Sequence, residues 1–271
     1  MRLSLLNIVL AVSALLMFNS CIKEDWGIIP DYQSQNGNSG EWNKNKTVDL
    51  YYVSSLSDNS MTDYNSVGSY LKKLGDNCTA SIVDRTDVQY YQYPYFSNNI
   101  CTNLSVAANK FTCFAFNQYA SGNIEGSSIL FNHKINSASS FKITDNCYVK
   151  YVPIMTHSSV EIPVDIEMPL ATVRFSQADQ VSASADVLKQ LASNTYQAVL
   201  IGTVKNDLAE QLQSVAKGIG ASSFTLVTKN PDNAYQIFMF APSSWVLRET
   251  TVDGVSGKVN AYKMSIEASV E

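Results

Sequence analysis

Charge is scarce in this chain: Asp, Glu, Lys and Arg make up 16% of its 271 residues, well below the ~25% of an average soluble domain. Basic residues are the scarcer sign, 19 Lys and Arg against 24 Asp and Glu. A net charge of -5 argues against nucleic acid as a partner, because a phosphate backbone calls for a concentrated basic face. Histidine is nearly missing. His133 and His157 are isolated from the cysteines in sequence and no Cys-x-x-Cys occurs, so no metal site is expected. No Gly-x-Ser-x-Gly turn occurs either, so Ser158 and Ser159 beside His157 lack the setting of a triad nucleophile, and His157 reads as a loop residue.

The apolar run at residues 3–18 is short of the ~20 residues that span a bilayer. Arg2 precedes it, only Ser4, Asn7 and Ser13 interrupt it, and Asn19-Ser20-Cys21 follows. This order predicts an export signal over residues 1–20, cleaved before Cys21. Cys21 resembles the lipid-carrying cysteine of a bacterial lipoprotein, which implies an anchor in the outer membrane. Lys23-Glu24-Asp25 resembles the acidic signal that sends such proteins to the outer face, though solvated charges at a flexible start explain it as well. Residues 28–46 are mostly Gly, Asn, Ser, Gln and Pro. They cannot bury enough apolar area to offset ordering entropy, so residues 21–46 are expected to be a tether.

What is abundant is Ser, Asn and Tyr, a mixture common in exported β-rich proteins, and the 15 tyrosines suit half-buried strand faces. Cys78, Cys101, Cys113 and Cys147 fall in one stretch. They allow up to two disulfides in three pairings, or act as buried thiols.

Along the chain, residues 48–54 read as a strand, and 63–74 as a helix with Tyr64, Val67, Tyr70, Leu71 and Leu74 on one side. Strands are expected at 80–83, 88–95, 100–107, 111–117, 128–131, 140–143 and 147–153, with Asn-rich breaks between them. Residues 160–176 read as long strands, the first strictly alternating and, because of Pro163, at a sheet edge or carrying a bulge there, with Pro169 adding to an incompletely paired edge. Beyond 177 the pattern is helix 181–193, buried strand 198–204, a helix from Asp207 ended by Gly218 and Gly220, then strands at 223–228, 235–240, 245–252 and 258–268. The expected fold class is α+β: an antiparallel β-sandwich over 47–177, then an α+β domain over 178–271 with two helices on a small sheet.

Candidate sites are few. Glu249, Asp253 and Glu267 lie on or near strands, but nothing in their spacing pairs them as acid and base. The aromatic cluster 90–96 offers Tyr91, Tyr93 and Tyr95 as ligand contacts if it is exposed, or as core if it is a strand. The strand and helix order from Leu170 onward is similar to the first half of the endonuclease, exonuclease and phosphatase superfamily. That family places an Asn after its first strand and a metal-binding Glu at the end of its second, where this stretch has Ser176 and Thr203. The chain then stops before a second half with the family's His and Asp, so the likeness reads as convergence of pattern.

A different resemblance covers about half of the chain. Cys21-Ile-Lys-Glu-Asp-Trp26, Val48-Asp-Leu-Tyr-Tyr52, residues 104–117, Tyr151-Val-Pro-Ile-Met155 and Met168-Pro-Leu-Ala-Thr-Val-Arg-Phe175 are similar to segments of the fimbrillin family of surface pilins and pilus anchors. That resemblance implies a non-catalytic surface lipoprotein with a structural or adhesive role, no cofactor, and pilus subunits or host ligands as partners. Glycan capture by a surface lipoprotein is the alternative, carried by the clustered aromatics.

Overall fold

The computed structural model describes residues 46–75, 78, 80–90, 97–120, 123–132, 137–157, 165–220, 222–230 and 232–268. Strand β1 (Lys46–Ser54) turns Val48, Leu50 and Tyr52 to one face and Tyr51 and Val53 to the other, and all five are buried. A strand apolar on both faces has to lie inside a sheet covered on both sides. It does so here, antiparallel to β15 (Val259–Ala268) and parallel to β2 (Ala80–Val83).

The first sheet runs β14 (Trp245–Ser256), β15, β1, β2, β6 (Asn123–Phe131), β3 (Val88–Tyr90), β4 (Ser97–Asn99), with β5 (Phe111–Ala120) also paired to β6. The second runs β12 (Ser222–Leu226), β13 (Tyr235–Pro242), β11 (Val199–Lys205), β9 (Asp165–Thr172), β8 (Cys147–His157), β7 (Ser139–Thr144), with β10 (Arg174–Phe175) paired to β11. The sheets pack face to face over a central core that includes Leu50, Ile82, Phe131, Val152, Leu170, Ile201 and Met264.

Helices cover both outer faces. Helix α1 (Tyr64–Leu74) and α2 (Ile100–Ala108) bury Val67, Leu71, Ile100 and Leu104 against Val53, Val83 and Leu130 of the first sheet. Helices α3 (Ala178–Ser182), α4 (Ala185–Leu191) and α5 (Ala209–Lys217) bury Val181, Leu188, Leu191 and Leu212 against Val149, Leu200, Phe238 and Phe240 of the second. Among the described residues no helix is long and apolar enough to cross a membrane.

The expected fold class is corrected accordingly: this is a two-sheet sandwich with helices outside, not a sandwich followed by an α+β domain. Strands from either side of residue 177 share both sheets, since β1 pairs β15 and β9 pairs β11. The sheet edge or bulge expected at Pro163 lies outside the described residues, and of the strand that follows only Leu170 and Ala171 pair with β11. Strand β9 lies between β8 and β11, with Pro169 facing Pro153 across the ladder. Residues 100–108 form a helix rather than a strand, because the Asn99 side chain accepts from Thr102 N at 3.0 Å and Asn109 closes the other end at φ 53°.

One close approach fixes the middle of the second sheet. A Cβ on Gly202 would lie 2.2 Å from the Val173 carbonyl oxygen, to which Thr203 N donates at 3.1 Å. Only glycine lets β10 cross here and pair Arg174 with Thr203.

Candidate functional site

The central core ends in a polar layer that several strands build together. On interior-facing positions Leu50 and Tyr52 lead to Ser54, Ile82 to Asp84, Ile129 to Ser127, Val152 to Lys150, Leu170 to Thr172 and Arg174, and Ile201 to Thr203. Each of these polar residues is buried. Buried polar groups are costly unless they are satisfied, so a concentration of them at one end of a sandwich marks a site rather than a core.

Asp84 and Arg174 form its floor. Asp84 Oδ2 accepts from Arg174 Nη1 at 2.6 Å and from Ser54 Oγ at 3.1 Å, while Oδ1 accepts from Ser127 Oγ at 3.1 Å. Arg174 also donates to Thr203 Oγ1 at 3.4 Å and, through Nη2, to the Ser57 carbonyl at 2.9 Å. Its guanidinium lies over the Tyr235 ring, and its side chain is 4% exposed. Burial is the largest single influence and works against the charge on Arg174, but Asp84, Tyr235 and Tyr52 together outweigh it, and the pKa is raised. Tyr52, wholly buried, donates to Thr203 Oγ1 at 3.5 Å; burial, then the Asp84 charge, push its pKa well up.

A second ion pair stands beside the first. Arg85 binds Asp87 through Nη2 at 2.7 Å and Glu125 at 3.3 Å, and donates from Nη1 to the Asp58 carbonyl. Asp87 is further held by Ser60 Oγ at 2.5 Å and Gly126 N at 3.2 Å. Arg85 at φ 55° and the buried Leu56 at φ 51° are strained in the loops that follow β2 and β1, and such strain collects at functional sites. Asp58 is the open acid of the group, 70% exposed, 3.7 Å from Arg174 and accepting from Tyr235 OH at 2.6 Å. Burial, with that hydrogen bond, pushes the Tyr235 hydroxyl up to about 12, against a lowering by Arg174.

Two buried residues in the layer have polar atoms without a partner. Asn117, 4% exposed at a bulge of β5 opposite Glu125 and Gly126, leaves both Oδ1 and Nδ2 unsatisfied. Thr172 Oγ1, on a residue 1% exposed, is unsatisfied as well; Thr172 faces Lys150 across the ladder.

No family model matches this sequence, and no curated protein matches it. Solved structures do. The endonuclease/exonuclease/phosphatase from Bacteroides vulgatus aligns over 82% of this chain and 99% of its own at a TM-score of 0.53 and 8% identity. A family protein of the same description from Bacteroides thetaiotaomicron aligns over 84% and 100% at 0.54 and 8%. Humanized D. rerio TDP2 aligns over 81% and 98% at 0.51 and 11%. The chain has the endonuclease/exonuclease/phosphatase fold.

This fold overturns the fimbrillin resemblance, whose matching segments are apolar patterns that any two-sheet sandwich carries. With it go the structural, adhesive and pilus-related role, the glycan-capture alternative, and the pilus and host partners. The expected absence of catalysis rested on that resemblance and loses its basis, since the fold is one on which phosphatases and nucleases are built. The exclusion of nucleic acid, argued from net charge, falls with it. The earlier likeness to this superfamily was also misplaced in the chain. The fold begins at β1, not at Leu170, so the residues at the end of the first strand and just after the second are Ser54 and Asp84 in place of Ser176 and Thr203. Ser176 only donates to Gln180, whereas Thr203 does belong to the site. The sequence holds no histidine after His157.

The fold family implies a divalent metal ion, and the residues present do not fit one. Such an ion needs several oxygens with lone pairs to spare. Both oxygens of Asp84 and of Asp87 are taken, each acid by an arginine first. Among the described residues no group of three His, Cys, Asp or Glu could hold a metal.

The other expected site residues lie elsewhere. Cys21, Tyr91, Tyr93, Tyr95, Ser158 and Ser159 are outside the described residues, and His157 closes β8. Cys78, Cys101, Cys113 and Cys147 are reduced, buried thiols in the structure, with Cys113 in the central core, Cys147 under the helices of the second sheet and Cys78 under those of the first. Glu267 pairs with Arg248, Asp253 accepts from Tyr70 OH at 2.8 Å, and Glu249 faces Ser265, so the three form no common pocket. Sequence reasoning missed Asp84, Arg85, Asp87, Asn117, Lys150 and Arg174. Their signal was a polar residue continuing the apolar phase of a strand, as in Leu170, Thr172, Arg174.

Proposed function

We propose that this chain binds and hydrolyses a phosphate ester at the polar end of its sandwich. The observation that carries this is the pair of unsatisfied buried side chains, Asn117 and Thr172, in a layer that also buries Lys150 and Arg174. Amide and hydroxyl donors beside buried cations suit a phosphate, whose oxygens accept charge-assisted hydrogen bonds. Asp58, exposed and held by Tyr235, is placed to take a proton from water. The fold supports the same reading, since its solved examples bear endonuclease, exonuclease and phosphatase names. We place this activity at the outer membrane, facing outward, on a lipid carried by Cys21.

The test is a panel of phosphate monoesters, diesters and oligonucleotides with the mature chain, read by product release, alongside melting in inorganic phosphate. Phosphate should raise the melting temperature, Lys150→Gln or Thr172→Val should abolish that rise, and Asp58→Asn should lower turnover. The absence of both a phosphate-induced shift and turnover of any ester would sink the reading. Mass spectrometry of the mature N-terminus tests the location, which an unmodified Cys21 would refute.

A further inference from the structure

We propose that Arg174 is a built-in cation that holds, on Asp84, the place a divalent metal would need, so that this end of the fold works without a resident metal ion. The inference rests on the contacts of Asp84 alone and stands whatever the ligand is. An acid just after the second strand is the residue type that would ligate a metal here, and its chemistry is intact: Asp84 is 1% exposed and its backbone N is fixed by Val53 O at 2.9 Å. What differs is the partner. The guanidinium lies 2.6 Å from Oδ2, and Ser54 and Ser127 take the remaining approaches to the two oxygens.

Arg174 cannot easily yield its place. It is tied to the Ser57 carbonyl in the loop after β1, to Thr203 on β11 and to the Tyr235 ring on β13, which are elements of both sheets. A metal ion entering beside it would meet a like charge in a poorly screened setting, and displacing it would leave a buried guanidinium unpaired. That penalty weakens metal binding by about a hundredfold or more. The neighbouring acid is treated in the same way: Asp87 holds Arg85 through both its oxygens. Ser54, Ser127 and Thr203, which hydrogen-bond to this pair, are uncharged, and the further acid, Asp58, stands 3.7 Å from Arg174 on the exposed side, where Tyr235 OH holds it.

The test needs no phosphate ester, so its outcome is separate from that of the assay above. The mature chain is melted in EDTA and in millimolar Mg2+ or Mn2+, together with Arg174→Ala, Arg174→Lys and Asp84→Asn. Wild type and Arg174→Lys should be insensitive to the metals. Arg174→Ala should melt lower and regain stability with Mn2+ or with millimolar guanidinium, either of which can refill the place. If Arg174→Ala fails to fold in EDTA, recovery of its circular dichroism on adding either cation is the same result. A metal-dependent rise in the wild type that EDTA reverses and Asp84→Asn removes would overturn the proposal. An Arg174→Ala chain that responds to no cation would overturn it as well.

Discussion

The Arg174 guanidinium carbon lies 3.6 Å from the centre of the Tyr235 ring, while the Tyr235 hydroxyl donates to Asp58 at 2.6 Å. One tyrosine thus supports the buried cation with its face and positions the exposed acid with its edge. The two duties separate by substitution. Tyr235→Phe keeps the face and should cost about 1 kcal/mol in urea unfolding for the lost hydrogen bond. Tyr235→Leu should cost about 1–2 kcal/mol more, because cation and ring are both desolvated.

Breaking the Asp84 and Arg174 pair from either side leaves a buried charge without its partner. Asp84→Asn and Arg174→Ala should each cost about 3–5 kcal/mol. The double substitution should cost clearly less than the two together, since residues in contact are not additive. Equilibrium denaturation of the four chains measures this, and simple additivity would contradict the pairing.

Gly202→Ala places a methyl against the Val173 carbonyl, a backbone atom that cannot rotate away. Separation of β10 from β11 should follow, with a loss of about 1–3 kcal/mol or more. An unchanged melting temperature would show that the crossing is looser than 2.2 Å implies.

Alkali should weaken the fold through its buried thiols. Burial pushes Cys147 up to about 12 and Cys78 up to about 11 from an ordinary 9.0, the latter against a lowering by Lys110. Above pH 9 the unfolded chain releases these protons while the folded chain keeps them, so stability is full below pH 9 and falls as pH rises toward 11–12. Denaturation midpoints between pH 8 and 11 should drop, less steeply in Cys147→Ala. Both thiols should resist a thiol reagent at pH 8 until the chain is unfolded.

Asn99→Ala removes the cap of α2 and should cost about 1 kcal/mol, read by urea unfolding. That cap is why residues 100–108 escaped a sequence reading. Ile100, Leu104 and Ala108 do lie at helical spacing, but Cys101, Val106 and Ala107 between them blur the period, and the decisive hydrogen bond comes from a residue outside the segment.

The sequence by itself determined the local elements: β1, α1, β2, the wholly buried β11 and α5 follow from apolar period and from the Gly residues that end them. Those signals come from residues a few positions apart, whose side chains share a face whatever the rest of the chain does. Only the tertiary structure decided that Asp49 sits opposite Ser265, bringing β1 and β15 together in one sheet, and that β9 joins β8 to β11. Strand pairing is made by backbone groups that every residue carries, so it leaves no mark on local pattern. The polar end stayed hidden for the same reason. Ser54, Asp84 and Arg174 each look like an ordinary strand-end residue in sequence, and they become a site only because two sheets bring those ends to within hydrogen-bond distance.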